Sequence, residues 1–378
     1  MPASIYVHIP FCVRKCRYCD FYSVSYHEEL VARYVKCLCG EIEERAQDLQ
    51  QAEAVRTLYL GGGTPSLLDP AYVATIIDKV GSVFGILPEA EITLEVNPGT
   101  VNLKKMASYR HAGINRVSLG VQSFFDDILQ WLGRLHSRQD VKTAFDVCLK
   151  AGFDNISIDL IYGVPGQDLS RWREGLDNAL ALNPQHVSAY LLQPEPETPL
   201  GHLIATGEVE LLSEEEELAQ YELAVDVLTG AGYRHYELSN FARPRYECCH
   251  NLNYWQGGQY LGIGAGAVSF LKLNRYQNDP NVDAYIQSLS VANQPPRSML
   301  ECLNEEGIVR DRIVLGLRLI DGIDVEELKR SYEVDFSLLF GSSVDRLIEL
   351  GLIKRKGSKL CLSRKGYFLS NEVFREFL

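Results

Sequence analysis

Short apolar runs alternate with longer stretches of helical period through the first half of the chain. Six runs have strand character, at residues 4–9, 55–60, 91–96, 116–120, 155–161 and 186–192. Between them apolar residues recur three or four apart, as in Leu30, Tyr34 and Leu38 or Trp172, Leu176 and Leu180, the spacing that puts side chains on one helix face. Strand–helix alternation predicts a parallel sheet of βα units, and six units suit an open α/β fold, a partial (β/α)6 barrel. In such barrels chemistry collects at the C-terminal ends of the strands. That is where the polar and glycine-rich stretches fall: a cysteine loop after strand one, Gly61-Gly62-Gly63-Thr64-Pro65 after strand two, Glu95 to Pro98 at the end of strand three, Gln122-Ser123 after strand four, Asp159 on strand five and Gln193-Pro194 after strand six.

Beyond strand six the proline-rich segment 193–199 breaks the pattern, and the acidic run Ser213 to Glu217 reads as a helix start, because acids in a first turn complement the helix dipole. The stretch 236–255 has no clear period and gathers aromatic residues, asparagines and His250. Glycines 262, 264 and 266 follow in a setting that does not fit a dinucleotide fingerprint and read as close-packed backbone. From about Pro295 helical segments lead to two short strands around Lys356 to Lys359 and a last helix, a winged-helix-like α+β arrangement. The expected organisation is a barrel core over residues 1–200, an extension over 201–294 and a smaller C-terminal domain over 295–378.

The 378 residues exceed what one growing core accommodates, and 46% of them are hydrophobic, enough for a sizeable core. A net charge of −13 repels polyanions, so no nucleic-acid partner is expected. Lys354, Arg355, Lys356, Lys359, Arg364 and Lys365 form one local basic patch, read as a solvated hairpin. No apolar run reaches the eighteen residues of a membrane span and no apolar leader follows Met1, so the expectation is a cytoplasmic protein.

Three of the ten cysteines, Cys12, Cys16 and Cys19, form a C-x3-C-x2-C loop. Iron–sulfur clusters are held by cysteine thiolates, and a cubane gripped by three leaves one iron open for chemistry. A zinc site is the alternative, with His8 or His27 as fourth ligand. The other seven lack the spacing of a disulfide framework; Cys248 and Cys249 read as ordinary thiols, with a metal contact from the adjacent pair as the alternative. Glu95 and Asp159 sit inside apolar strand patterns, where an unpaired carboxylate is costly, so something polar should meet them. Arg134 is suited to clamp a carboxylate. A lone histidine is weak evidence, and on its own His250 reads as a core or capping residue.

The C-x3-C-x2-C pattern matches the radical S-adenosylmethionine (SAM) signature, and residues 5–270 resemble the coproporphyrinogen III oxidase-like radical SAM family, with the whole chain similar to its haem-chaperone branch. The resemblance implies a 4Fe-4S cluster on Cys12, Cys16 and Cys19, with SAM chelating the free iron and cleaved on reduction to a 5'-deoxyadenosyl radical. Tyr6, Gly62 and Glu95 align with contacts to that SAM, and Gly63, Thr64, Gln122, Arg134 and Asp159 with contacts to a second SAM in the oxidase branch. His250-Asn251-Leu252-Asn253-Tyr254-Trp255 matches an H-N-x-x-Y-W element associated with haem binding, so the alternative for Cys248 and Cys249 extends to a second haem contact.

Two departures separate the chain from the oxidases: Phe21 stands where they carry a fourth cysteine, and only eleven residues precede Cys12 where they have an extension over the cleft. The implied function is therefore a chaperone that holds haem, cluster and SAM and delivers haem to respiratory haem proteins. SAM cleavage is compatible with that role and not required by it, as is a homodimer. Oxygen-independent decarboxylation of coproporphyrinogen is the alternative, and radical modification of RNA a third reading resting on the basic patch alone.

Overall fold

The strand 156–162 shows how the sequence builds the molecule. Ile156, Ile158 and Leu160 are buried in the main apolar core, while Ser157 and Asp159 alternate to the other face. Side chains of a strand point to opposite faces in turn, so one face packs on helices and the other lines a polar lumen. The same division recurs along the barrel. Ile5, Val7 and Ile9 are packed out of solvent in the core, as are Leu58 and Leu60, Leu94 and Val96, and Val117 and Leu119. Each such side chain contributes roughly 1.5–3 kcal/mol when fully buried.

The computed structural model describes residues 2–46, 53–292 and 294–378. Strands β1 (Pro2–Ile9), β2 (Phe11–Cys12), β3 (Val24–Ser25), β4 (Glu53–Gly62), β5 (Ile86–Val96), β6 (Arg116–Gln122), β7 (Ile156–Tyr162) and β8 (His186–Leu191) come first. Of these, β1, β4, β5, β6, β7 and β8 pair in parallel in that order, the six-unit partial barrel expected from the sequence. The pair β2 and β3 closes the base of the cysteine loop.

The sheet does not stop there. β9 (Arg234–Glu237) and β10 (Asn240–Ala242) add antiparallel beyond β8. At the other edge β11 (Tyr260–Ile263) pairs with β1 in parallel, followed antiparallel by β12 (Val268–Leu271), β13 (Asn274–Asn278) and β14 (Arg297–Cys302). Among the described residues twelve strands thus share one sheet. Glycine content hid β11: an added Cβ on Gly262 would lie 2.1 Å from Val268 O, the close backbone approach the sequence suggested, made inside a sheet.

The acidic run opens the helix Glu214–Gly230, with Ser213 and Glu216 forming a reciprocal capping box. The C-terminal part has its own core, in which Val309, Phe340, Val344, Leu360 and Phe377 are buried, around β15 (Ile323–Asp324), β16 (Ile353–Lys356) and β17 (Lys359–Leu362), ordered β15-β17-β16. The β16–β17 hairpin bears the basic patch, and Arg364 beside it is engaged by Asp226 at 2.8 Å and Glu222 at 3.6 Å on the barrel's acidic helix. No helix among the described residues is long and apolar enough to cross a membrane.

Candidate functional site

The C-terminal ends of the barrel strands surround a cavity of about 430 Å³. Cys12, Cys16 and Cys19 stand on its rim as free, partly exposed thiols. Their loop is tied to the opposite wall: Arg14 Nη2 donates to Gly133 O at 2.9 Å and the amide of Arg17 to Leu132 O at 3.2 Å. Gly133 turns at φ 82°, and a Cβ there would lie 3.3 Å from Arg17 N, so a glycine lets the two segments meet. Arg134 follows it, with Nη1 3.6 Å from Cys16 Sγ and Nη2 donating to Gly120 O at 3.0 Å. Across the rim Thr64 Oγ1 lies 3.6 Å from Cys12 Sγ, and Gly63 packs so close that a Cβ would sit 3.0 Å from the same sulfur. Burial pushes the Cys19 thiol up to about 11.

The two histidines weighed as a zinc ligand are placed elsewhere. His8 has Nδ1 3.0 Å from Tyr6 OH and Nε2 3.2 Å from Tyr22 O, and His27 is exposed ahead of the helix Glu28–Glu44. Among the described residues no three His, Cys, Asp or Glu side chains converge as ligands of a single ion. A cubane takes its thiolates on separate irons and can leave one iron without a protein ligand, whereas a closed tetrahedral zinc needs a fourth ligand that neither His8 nor His27 is placed to give.

Below the rim Glu95 accepts from Tyr59 OH and from the amide of Gly62, each at 3.0 Å. Burial raises its carboxyl to about 7 against those two hydrogen bonds. Asp159 accepts from Ser118 Oγ at 3.2 and 3.0 Å, and burial raises it as well. The expectation that these strand carboxylates meet polar partners holds. Gly62, Gly63, Thr64, Glu95, Gln122, Arg134 and Asp159 all line the cavity. Gln122 does so from a left-handed backbone, φ 64°.

Two expected residues stand apart. Tyr6 lies behind the lining, its ring stacked on Tyr59 at 6.1 Å. His250 is 2% exposed and lines neither this cavity nor the cleft described below. Its Nδ1 is 2.8 Å from Thr57 Oγ1 and its Nε2 2.9 Å from Tyr254 OH, and burial, then the charge of Arg116, lowers it to about 3. Of that element, Asn251 is the residue that reaches the cavity.

The sequence reading missed Arg116, His186, Ser118 and Ser188, which also line the lumen. Arg116 is 2% exposed with an unpartnered Nε, and its charge acts on Glu95, Asp159 and Glu91. His186 is held between Ser157 Oγ at 2.7 Å and Tyr236 OH at 2.8 Å. The signal that found Glu95 and Asp159, a polar residue inside an apolar strand, was present at Ser118 and Ser188, whereas Arg116 and His186 are the first residues of β6 and β8.

Residues 6–178 match the radical SAM superfamily and residues 303–369 the HemN C-terminal domain. "Heme chaperone HemW" of Bacillus subtilis is 36% identical over 376 residues, covering 99% of both chains, and its Escherichia coli namesake is 41% identical over 268 residues, 70% of this chain and 69% of its own. The chain belongs to the HemW branch of the coproporphyrinogen III oxidase-like radical SAM family. The solved coproporphyrinogen III oxidase (HemN) of E. coli, described as a radical SAM enzyme, superposes with a TM-score of 0.85 at 25% identity, covering all of this chain and 90% of that one. Radical SAM membership implies a 4Fe-4S cluster and SAM. The rim of three thiols, the glycine cradle pressed against one of them and the donors and acceptors beneath fit that pair, with SAM the zwitterion to be met by both carboxylates and guanidinium groups.

Proposed function

We propose that this protein is a cytoplasmic haem chaperone that holds haem together with a 4Fe-4S cluster and SAM, and passes the haem to respiratory haem proteins. The observation that carries the reading is the end-to-end similarity to proteins named for haem chaperoning, at 36% identity over 99% of both chains. A second observation supports it: position 21 is a phenylalanine, 59% exposed beside Cys19 at the cavity wall, where the oxidase pattern has a cysteine.

In this reading Cys12, Cys16 and Cys19 hold the cluster, which when bound supplies the electron for SAM cleavage. The rest is done by the chain's own groups. Glu95, fixed by Tyr59 and Gly62, and Asp159, fixed by Ser118, offer acceptors to hydroxyl and amino groups. Arg134 offers guanidinium donors to a carboxylate, in the low-dielectric lumen where a charge-assisted bond contributes most. Gly62 and Gly63 let a ligand approach the backbone.

The test is anaerobic. Protein reconstituted with iron and sulfide is titrated with haem, offered an acceptor apo-haemoprotein, and assayed beside HemN for conversion of coproporphyrinogen with SAM. Stoichiometric haem uptake and transfer without protoporphyrinogen formation is the expected result. Substantial protoporphyrinogen would favour the oxidase reading, which the backbone likeness to HemN makes the natural second choice.

A further inference from the structure

Under the barrel, at the strand ends opposite the cysteine rim, lies a second cleft of about 1,120 Å³ between the sheet and the C-terminal core. The helix Cys249–Trp255 separates it from the upper cavity. Asn251 faces the upper cavity, whereas Cys249, Leu252, Asn253 and Trp255 line the lower cleft, and His250 is held within the partition by Thr57 and Tyr254. We propose that this lower cleft is the haem site, its apolar walls taking the macrocycle and its cationic side chains the two propionates.

The proposal rests on the haem-chaperone reading and adds a location to it. Size argues first. Ligand sites of about 300–1,000 Å³ serve drug-sized molecules; the 430 Å³ upper cavity is already assigned cluster and SAM, while the lower cleft of about 1,120 Å³ has the volume for a macrocycle and no other assigned occupant. Lining chemistry argues next. Leu252, Trp255, Phe270, Ile308, Leu328 and Tyr332 give it apolar and aromatic wall.

Charge decides between a merely apolar ligand and one carrying carboxylates. Five cations line the cleft. Arg234 is taken up by Asp321 at 2.6 Å and Glu247 at 3.3 Å, but Arg56, Lys272, Arg312 and Lys359 make no ion pair with a carboxylate among the described residues. On the acidic side Asp324 accepts from Ser358 and from the amides of Glu326 and Glu327, which hold it in place as an anion, and Glu327 is the other acid of the wall outside the Arg234 cluster. In a chain of net charge −13, a wall of five cations and four acids is locally positive by one charge, and the four cations without a carboxylate partner are the groups that can meet propionates. Arg312 is held in place: it lies over Gly257, whose φ of 61° and lack of a side chain accommodate it, since a Cβ there would be 2.4 Å from Arg312 Cδ. Cys249 brings a sulfur to the same wall.

The full-length protein is titrated with ferric haem by absorbance, alone and with saturating SAM, beside Arg312→Glu/Lys272→Glu, Arg312→Lys and haem dimethyl ester, whose carboxylates are blocked. Wild type is expected to bind haem with or without SAM. The double reversal should bind it at least tenfold more weakly, the size of one lost charge-assisted bond. Arg312→Lys should remain near wild type, and the ester should bind the wild type and the double variant alike. Unaltered affinity in a folded double variant, or displacement of haem by SAM, would overturn the lower site while leaving the chaperone reading intact. Failure of the wild type to bind haem at all would instead remove the reading on which the site depends.

Discussion

Glu91 Oε1 accepts the backbone amide of His250 at 3.0 Å, across 159 positions of sequence. Its other oxygen accepts the amide of Cys249 at 3.0 Å, and Cys248 Sγ lies 3.5 Å from Oε1. A carboxylate on β5 thus caps the first turn of the partition helix, satisfying amides that a helix start leaves without partners and matching its dipole. Glu91→Ala is expected to lower the unfolding free energy by about 2–3 kcal/mol, given about 1.5–3 for one bond to a charged group, with Glu91→Gln retaining part of it. Urea unfolding of the two variants beside wild type measures the difference, and equal stability of all three would contradict the capping role.

Gly62 is constrained twice. Its φ is 118°, and a Cβ would lie 2.6 Å from Cε1 of the His8 imidazole, which is itself tethered between Tyr6 and Tyr22. Gly62→Ala should therefore cost more than backbone strain of roughly 1–3 kcal/mol, and it should weaken SAM binding at least tenfold by moving the amide that holds Glu95. Gly166→Ala is the control, since its φ is 82° but nothing lies within 4 Å of the added methyl. Calorimetric melting of both, with SAM titration of the first, tests the expectation.

The parallel core of the fold was legible because each of its strands pairs an outward apolar phase with helical segments of regular period. The antiparallel additions were not: β9 and β10 are four and three residues long, too short for a period to declare itself, and β11 has a glycine where an inward side chain would have marked it. At the site, a motif with fixed spacing exposed the cysteines, and glycine runs exposed the cradle. Arg116 and His186 each open a strand, where a polar residue reads as a boundary. Only the folded barrel shows that these boundaries face inward. His136, in the segment between β6 and β7, is a packed residue: it is 4% exposed with Nε2 3.1 Å from Val121 O.

Glu95 gives the molecule a pH dependence of definite sign. Burial raises its carboxyl from 4.5 to about 7, so between those values the folded chain holds a proton that the unfolded chain has released. Stability from this group is complete below pH 4.5 and falls as pH rises through 7. A shift of that size corresponds to about 3 kcal/mol at the alkaline limit. Glu95→Gln removes the titration, so its stability relative to wild type should rise between pH 5 and pH 8. Denaturant unfolding at the two pH values reads the change, and an unchanged difference would mean that Glu95 keeps an ordinary carboxyl.

His250 has the opposite dependence and a sharper question attached to it. Its imidazole is lowered to about 3 by burial and by Arg116, whereas an unfolded histidine takes up its proton near 6.5. The unfolded chain binds more protons between those values. The stability contributed by neutral His250 is therefore complete above pH 6.5 and declines toward pH 3, by about 2 kcal/mol at pH 5. His250→Gln should flatten this part of the acid limb in unfolding curves taken from pH 7 to pH 4.5. Since Thr57 and Tyr254 occupy both ring nitrogens, a haem in the lower cleft would feel His250 through the partition helix it supports. His250→Ala is expected to weaken haem binding while leaving the wavelength of the haem Soret band where it is. A displaced Soret band would show that the imidazole leaves its two partners to ligate the iron, and would contradict the supporting role.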